Sequence, residues 1–177
     1  MHIITESSRL LLREFRPGDG AWLYVLNEDP DVLRYTSDVP YGSVEVAETF
    51  VRNYDVYRTQ GLGRWAMIRK DTGAAVGWCG LKYQPGDPNP DLGYRLLKSA
   101  WGQGYATEAA QASINYGFGS LGVPRLIARV VPENLASVKV LRKCGFVRIG
   151  ETVLGPHPAD LYELTPAVYA AHRQAHG

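Results

Sequence analysis

The sequence is short of cysteine, of excess charge and of long apolar runs, and each shortage excludes a class of protein. Its two cysteines, Cys79 and Cys144, are too few for a disulfide framework, and their spacing matches no metal-ligand pair. Nineteen lysines and arginines against eighteen acids leave a net charge of +1, so no global field gathers nucleic acid or anionic lipid. No stretch reaches the roughly 18 apolar residues of a membrane span, and residues 1–15 are too charged for a signal peptide. We therefore expect one cytoplasmic domain over residues 1–177, without a metal, a membrane or a nucleic-acid partner.

Several nucleotide-binding and hydrolase motifs are also missing. No Gly-Lys-Ser or Gly-Lys-Thr occurs, which removes the P-loop, and Phe118-Gly-Ser-Leu-Gly122 lacks the first glycine of a nucleophile elbow. A dinucleotide-binding fingerprint would need glycine or alanine where Thr107 stands, and no acid follows at the ribose-binding distance. The sequence therefore disfavours phosphotransfer, serine-hydrolase and dinucleotide chemistry.

Glycine, by contrast, is plentiful, with nineteen residues, and two of them lie in the most informative segment, Trp101-Gly-Gln-Gly-Tyr-Ala-Thr-Glu108. This segment lies between a predicted strand and a predicted helix. Gly102, Gly104 and Ala106 carry little or no side chain, so successive backbone N–H groups and the positive end of the helix can face an anion. The pattern predicts a phosphate cradle, although a glycine pair before a helix also fits a simple turn.

Hydrophobic periodicity and turn residues predict a mixture of strands and helices. The strands are expected at 9–15, 65–68, 75–81, 91–97, 126–131, 146–149 and 161–164. The helices are expected from Asp19 with a break at Asp29-Pro30-Asp31, from Ser43 to about 61, from Tyr105 to about 122, from Asn134 to about 145, and from Ala167. Gly93, inside the strand at 91–97, indicates a bulge or a close approach of the backbone.

Four ordered blocks carry a resemblance to a known family. They are Arg9-Leu-Leu-Leu-Arg13, Leu92-Gly-Tyr-Arg-Leu96, Trp101-Gly-Gln-Gly-Tyr-Ala-Thr-Glu-Ala109, and Pro132-Glu-Asn-Leu-Ala-Ser137 running into Lys143-Cys-Gly-Phe146. Together they make most of the chain similar to the GNAT N-acetyltransferase superfamily, in its RimJ/RimL-like branch of ribosomal-protein N-terminal acetyltransferases. In the family's acetyl-CoA signature Trp101 replaces an Arg or Gln, which leaves pyrophosphate binding to backbone amides.

The resemblance implies an α+β fold, in which helices flank a mixed, mostly antiparallel twisted sheet with splayed middle strands. It implies acetyl-CoA as the acetyl donor, with Leu96 and Leu97 offering backbone groups to the pantetheine arm and the thioester carbonyl. Asn134 would face the arm, with a plain helix N-cap as its alternative role, and Ser137 would lie near the sulfur. The implied coenzyme-binding set is Leu96, Leu97, Trp101, Gly102, Gln103, Gly104, Tyr105, Ala106, Thr107, Asn134 and Ser137.

The implied reaction is direct attack of a neutral primary amine on the thioester in a ternary complex. An α-amine with a pKa near 8 needs little help at neutral pH, whereas a lysine costs roughly 4 to 5 kcal/mol to deprotonate. By the resemblance, Glu151 is the candidate base and Ser137 the group that returns a proton to the thiolate. Asp91, or water, is the alternative base.

Other residues have weaker functional interpretations. His157, Tyr35, Tyr41 and Trp78 are candidates for the acceptor pocket, with exposure for His157 and core packing for the aromatic residues as the alternatives. For Cys144, a packing role is favoured over an acetylated intermediate, and Cys79 is expected in the core.

The sequence leaves the acceptor open between a peptide N-terminus and a small molecule such as an antibiotic or metabolite. It also leaves open whether the protein forms a homodimer. A non-catalytic acyl-CoA-binding module is the competing function.

Overall fold

The computed structural model describes residues 2–176, in which an eight-stranded sheet carries helices on both faces. The strands are β1 (Ile3–Glu6), β2 (Leu10–Arg13), β3 (Arg64–Arg69), β4 (Ala75–Tyr83), β5 (Pro90–Leu96), β6 (Leu126–Val130), β7 (Val147–Leu154) and β8 (His157–Leu164). The helices are α1 (Gly20–Glu28), α2 (Pro30–Leu33), α3 (Val44–Arg52), α4 (Val56–Gln60), α5 (Tyr105–Gly119), α6 (Leu135–Lys143) and α7 (Pro166–His176), with a 3₁₀ turn at Lys98–Ala100. No helix among these described residues is long and apolar enough to cross a membrane.

The strand order is β1-β2-β3-β4-β5-β6-β8-β7, and every neighbouring pair is antiparallel except β5 and β6. Those two strands run parallel, and their register places Asp91 opposite Ile127. β5 continues to Leu96 without a further registered partner on β6, so the two middle strands separate. The predicted α+β fold with a mostly antiparallel, centrally splayed sheet is confirmed.

Two hydrophobic clusters pack on the sheet. The larger contains α5, whose small residues Ala109, Ala110 and Gly117 are buried and let the helix approach the strands closely. The smaller is formed by α1 and α3 and centres on Leu23, Leu26, Ala47 and Val51. The site described below lies where the opening between β5 and β6 connects these two sides.

A buried ion pair joins β2 to the start of α1. The Arg13 guanidinium donates to both carboxylate oxygens of Asp19, at 2.7 and 2.8 Å. Burial alone would raise the pKa of Asp19, but the hydrogen bonds from Arg13 and Trp22 outweigh it and hold that pKa below the ordinary value. The second arginine of the Arg9–Arg13 block therefore has a structural role.

The structure differs from the prediction in one unpredicted strand, one helix and two strand lengths. β1 was not predicted because this edge strand is partly exposed on both faces and shows no apolar alternation. The helix from Ser43 is capped by that side chain as expected, but it ends at Arg52, and α4 forms separately. The break lets the Tyr54 hydroxyl accept a hydrogen bond from the Arg64 backbone, at 2.9 Å. β7 and β8 are longer than predicted and meet in a hairpin.

Candidate functional site

One cavity of about 1550 Å³ runs from the glycine loop before α5, past the opening between β5 and β6, to the side covered by α1 and α3. It is lined by most of the predicted coenzyme set, namely Leu96, Trp101, Gly102, Gly104, Tyr105, Ala106, Thr107, Asn134 and Ser137. Of that set, Leu97 and Gln103 do not line it. Residues far apart in the sequence are therefore brought to one continuous surface.

The register of β4 and β5 decides which backbone groups face the opening. The Leu97 N–H donates to the Val76 carbonyl at 2.9 Å, and bonded and non-bonded pairs alternate along an antiparallel ladder. Leu96 and Tyr94, opposite Gly77 and Cys79, therefore point their N–H and C=O groups away from β4 and toward β6. The Leu96 carbonyl accepts a hydrogen bond from the Trp101 indole at 3.0 Å.

The expectation for Leu97 is corrected by the same contacts. Its N–H is bonded to Val76 and its carbonyl accepts from Ala100 at 2.8 Å, while its side chain packs with the smaller cluster. Neither backbone group is directed to the opening. The backbone of Tyr94, which sequence reasoning treated only as part of a motif, faces the opening together with that of Leu96.

The glycine loop presents unpaired donors at the start of α5. Gly102 and Gly104 have φ angles of +73° and +81°, in the left-handed region that favours glycine. The first bond of the helix runs from the Glu108 N–H to the Gly104 carbonyl, so the N–H groups of Tyr105, Ala106 and Thr107 have no partner within residues 2–176. A Cβ at Gly102 would meet nothing within 4 Å. This arrangement suits a pyrophosphate, which needs several convergent donors.

The loop is held from its far side by Arg9 and Glu108. Arg9 Nη1 donates to the Gln103 carbonyl at 3.0 Å, its Nε donates to Glu108 at 2.7 Å, and its guanidinium lies 4.5 Å from the centre of the Tyr105 ring. Glu108 also accepts from the Ser7 hydroxyl at 2.6 Å. Burial would raise the pKa of Glu108, but these bonds lower it overall. The Arg9 block thus has a physical partner in the glycine loop.

Ser137 and Tyr94 meet on the wall of the cavity. Their hydroxyl oxygens are 2.8 Å apart, and the Tyr94 hydroxyl is also 3.1 Å from the Ser137 carbonyl. Burial raises the pKa of Tyr94, so its phenol stays protonated at neutral pH. The Asn134 side chain accepts from the Ser137 N–H at 3.3 Å, which confirms its N-cap role at α6.

The two candidate bases have different surroundings. Asp91 is nearly buried, pairs with the Arg64 guanidinium, and has a second arginine, Arg129, at 3.5 Å. The Arg64 guanidinium passes so close to Gly93 that a Cβ added to this glycine would lie 2.6 Å from the guanidinium carbon, which confirms the expected close approach. The Glu151 side chain on β7 is 87% exposed, and its carboxylate lies 3.6 Å from the Arg148 guanidinium. Glu151 is not one of the described residues that line the cavity.

The cysteines are confirmed as packing residues. Burial raises the pKa of Cys79 to about 11 and that of Cys144 to about 12. Because the thiolate is the reactive form, neither side chain is a competent nucleophile at neutral pH. Within residues 2–176, no three His, Cys, Asp or Glu side chains are grouped so that they could hold a metal ion.

The α1 and α3 side of the cavity is walled by aromatic side chains, including the predicted Tyr35, Tyr41 and Trp78. Burial raises the pKa of Tyr41 to about 12. His157 does not line the cavity. One of its ring nitrogens, Nε2, lies 3.1 Å from the Thr36 carbonyl, which joins the β7–β8 hairpin to the segment before α3.

Comparison with known proteins agrees with this geometry. The family model for the acetyltransferase (GNAT) domain matches residues 9–147. The uncharacterized N-acetyltransferase p20 of Bacillus licheniformis is 33% identical over 146 residues, covering 81% of this chain and 82% of that protein.

Two solved structures show how widely the fold is shared. Mycobacterium smegmatis RimJ, solved with a coenzyme A disulfide, has a TM-score of 0.81 at 18% identity, covering 99% of this chain and 97% of that one. A spermidine N-acetyltransferase from Vibrio cholerae, solved with coenzyme A and spermine, has a TM-score of 0.77 at 19% identity, covering 92% and 99%.

Proposed function

Because the chain belongs to the GNAT acetyltransferase family, whose members transfer acetyl groups from acetyl-CoA, we propose that it acetylates a primary amine by direct attack in a ternary complex. One observation carries this proposal. The unpaired amides before α5, the backbone groups of Tyr94 and Leu96, and the Ser137 hydroxyl line one continuous cavity. A donor molecule with an anionic end, a narrow arm and a reactive thioester fits that order of groups.

The chain's own residues are proposed to hold the donor in two places, with Trp101 between them. The N–H groups of Tyr105, Ala106 and Thr107 bind the pyrophosphate, helped by the positive end of α5. The backbone of Tyr94 and Leu96 binds the arm through the opening between β5 and β6. The Trp101 indole, bonded to the Leu96 carbonyl, fixes the corner between these two regions.

The acceptor amine must be neutral when it attacks. We propose that Glu151 accepts the amine proton through a bridging water, since its carboxylate is exposed and Val153, on the same side of β7, lines the cavity. Asp91 is proposed as a structural residue instead, because Arg64 and Arg129 already occupy its oxygens.

The leaving thiolate must gain a proton. Ser137 is proposed to donate it from its hydroxyl, with Tyr94 holding that hydroxyl in position. The Tyr94 phenol, which stays protonated, holds a hydrogen bond to the serine oxygen as the serine proton leaves. Water then returns a proton to Ser137, and Glu151 releases to solvent the proton that it took from the amine, so both residues regain their starting state. In this reaction the amine–carbon bond forms, the carbon–sulfur bond breaks, and coenzyme A leaves as the thiol.

The test is release of free thiol from acetyl-CoA in the presence of N-terminal peptides, aminoglycosides, polyamines and aromatic monoamines. We expect at least one acceptor to raise the rate well above hydrolysis, and Ser137→Ala to lower it. Coenzyme binding without acceptor-dependent release would instead support the non-catalytic acyl-CoA-binding module.

A further inference from the structure

The part of the cavity under α1 and α3 is walled by Phe15, Tyr41, Phe50, Tyr54 and Trp78, a set called here the aromatic chamber. Neighbouring rings contact each other with centroid distances of 5.1 Å for Phe15 and Tyr54, 5.4 Å for Phe50 and Tyr54, and 5.6 Å for Tyr41 and Phe50. These tilted and edge-on contacts are favourable for aromatic rings and leave a preformed apolar wall.

The chamber adjoins the reactive end of the site. Trp78 lies on β4 opposite Arg95 of β5, next to the Gly77–Leu96 pair whose Leu96 backbone faces the opening. A thioester held at Leu96 therefore has the aromatic chamber on one side. With the donor placed as proposed above, the chamber is the part of the cavity left for an amine.

The carboxylates lining this side are already neutralised. Asp38 accepts from Arg95 at 2.7 Å, Asp31 pairs with Lys98, and Asp91 pairs with Arg64. A polyamine needs acidic side chains for its further ammonium groups, because each buried charge requires a partner. Each of these three carboxylates already has a cationic partner, which lowers its attraction for a further ammonium group.

The cations on this side outnumber those carboxylates. Arg34 and Lys82 also line the cavity, and neither has a carboxylate within ion-pairing distance in the described part of the chain. Two guanidiniums are already close to the Trp78 ring, because those of Arg64 and Arg95 lie 5.4 and 5.2 Å from its centre. A second ammonium would meet like charges rather than a free π-face.

From this combination, and resting on the proposed acetyl transfer, we infer that the acceptor is a monoamine carried on an aromatic body and not a polyamine. The ring of the acceptor packs against the aromatic chamber, and its single amine points to the opening beside Leu96. Specificity comes from burial of the ring together with the excess of cations over carboxylates on this side, where each of the three carboxylates already has a cationic partner.

The test measures binding separately from turnover. Protein saturated with coenzyme A is titrated calorimetrically with 2-phenylethylamine, butylamine and spermidine, and thiol release from acetyl-CoA is measured with the same amines. We expect 2-phenylethylamine to bind at least about tenfold more tightly than either other amine, because burial of its ring supplies at least that difference in affinity.

Matched variants place the effect in the chamber. Tyr41→Ala removes a ring that lines it, whereas Tyr24→Ala removes a ring of the same type that packs on the same cluster outside the cavity. We expect Tyr41→Ala to weaken 2-phenylethylamine binding by about tenfold, and Tyr24→Ala to change it by less than about twofold.

The outcomes separate the two proposals. The inference that the acceptor is an aromatic monoamine is overturned if spermidine binds more tightly than 2-phenylethylamine. It is also overturned if all three amines bind equally or if none of them binds. Selective binding of 2-phenylethylamine without any thiol release supports the chamber assignment and overturns the proposed acetyl transfer alone.

Discussion

Replacing Arg9 should weaken coenzyme binding although this side chain does not line the cavity. Its guanidinium donates to the Gln103 carbonyl at 3.0 Å and to Glu108 at 2.7 Å, so it holds the glycine loop and the first turn of α5 in place. Arg9→Lys keeps the charge but cannot make both contacts, since a lysine has no planar fork. Arg9→Ala removes both.

The magnitude follows from exposure. Charge-assisted hydrogen bonds contribute about 1.5 to 3 kcal/mol each when well buried, but the Arg9 side chain is 48% exposed, so we discount each to about 0.5 to 1 kcal/mol. Losing two such bonds then costs about 1 to 2 kcal/mol in loop positioning. If that cost falls on the bound state, the dissociation constant of coenzyme A rises about 5- to 30-fold.

Calorimetric titration with coenzyme A measures this effect, and a pantetheine thioester without the pyrophosphate is the internal control. Turnover of that truncated donor should be nearly unchanged in Arg9→Ala. Arg69→Ala is the matched variant, because Arg69 also lies near the Tyr105 ring, at 6.0 Å, but pairs with Asp71 and not with the loop. An unchanged coenzyme affinity in Arg9→Ala, or an equal loss with the truncated donor, would refute the reasoning.

Three further predictions concern other contacts. Tyr94→Phe, which loses the contact with Ser137, should lower kcat about tenfold with little change in KM for acetyl-CoA, measured by steady-state thiol release; an unchanged kcat argues against a positioning role. The pKa of Asp19 is lowered in the folded state, so its stabilising effect is present above the ordinary value of 3.8 and is lost as the pH falls through the folded-state pKa. In urea titrations, Asp19→Asn should be less stable than the unchanged protein at neutral pH, and its stability should fall less steeply below pH 3.8. Equally steep declines for the two proteins would contradict this. Cys144, with a pKa raised to about 12, should resist iodoacetamide at pH 8 in the native protein and react in denaturant, as mass spectrometry would show; rapid native labelling would contradict its burial.

The local part of the site could be predicted from the sequence because it depends on neighbouring residues. Gly102 and Gly104 stand just before α5, which begins at Tyr105, and Asn134 stands three residues before Ser137. The glycine loop and the N-cap of α6 therefore follow from local spacing. The four ordered blocks carried the family resemblance, and that resemblance implied the splayed sheet.

The remaining contacts depend on strand register, which the sequence alone does not show. Tyr94 meets Ser137 across 43 residues, and Arg9 meets Glu108 across 99. Leu97 was assigned to the coenzyme by analogy, but the β4–β5 ladder turns its N–H toward Val76 instead. A shift of one residue in that ladder would exchange the roles of Leu96 and Leu97.

The separation of β5 and β6 gives the sheet two edges in its interior. Outer edge strands expose unpaired backbone groups to any passing chain, but these inner edges lie recessed between α5 and the smaller cluster. A single flexible arm with amide groups of its own can pair with the backbone there as a neighbouring strand would. The opening is thereby a strand-pairing surface offered to a ligand, and filling it should protect the amides of Tyr94 and Leu96 from hydrogen exchange.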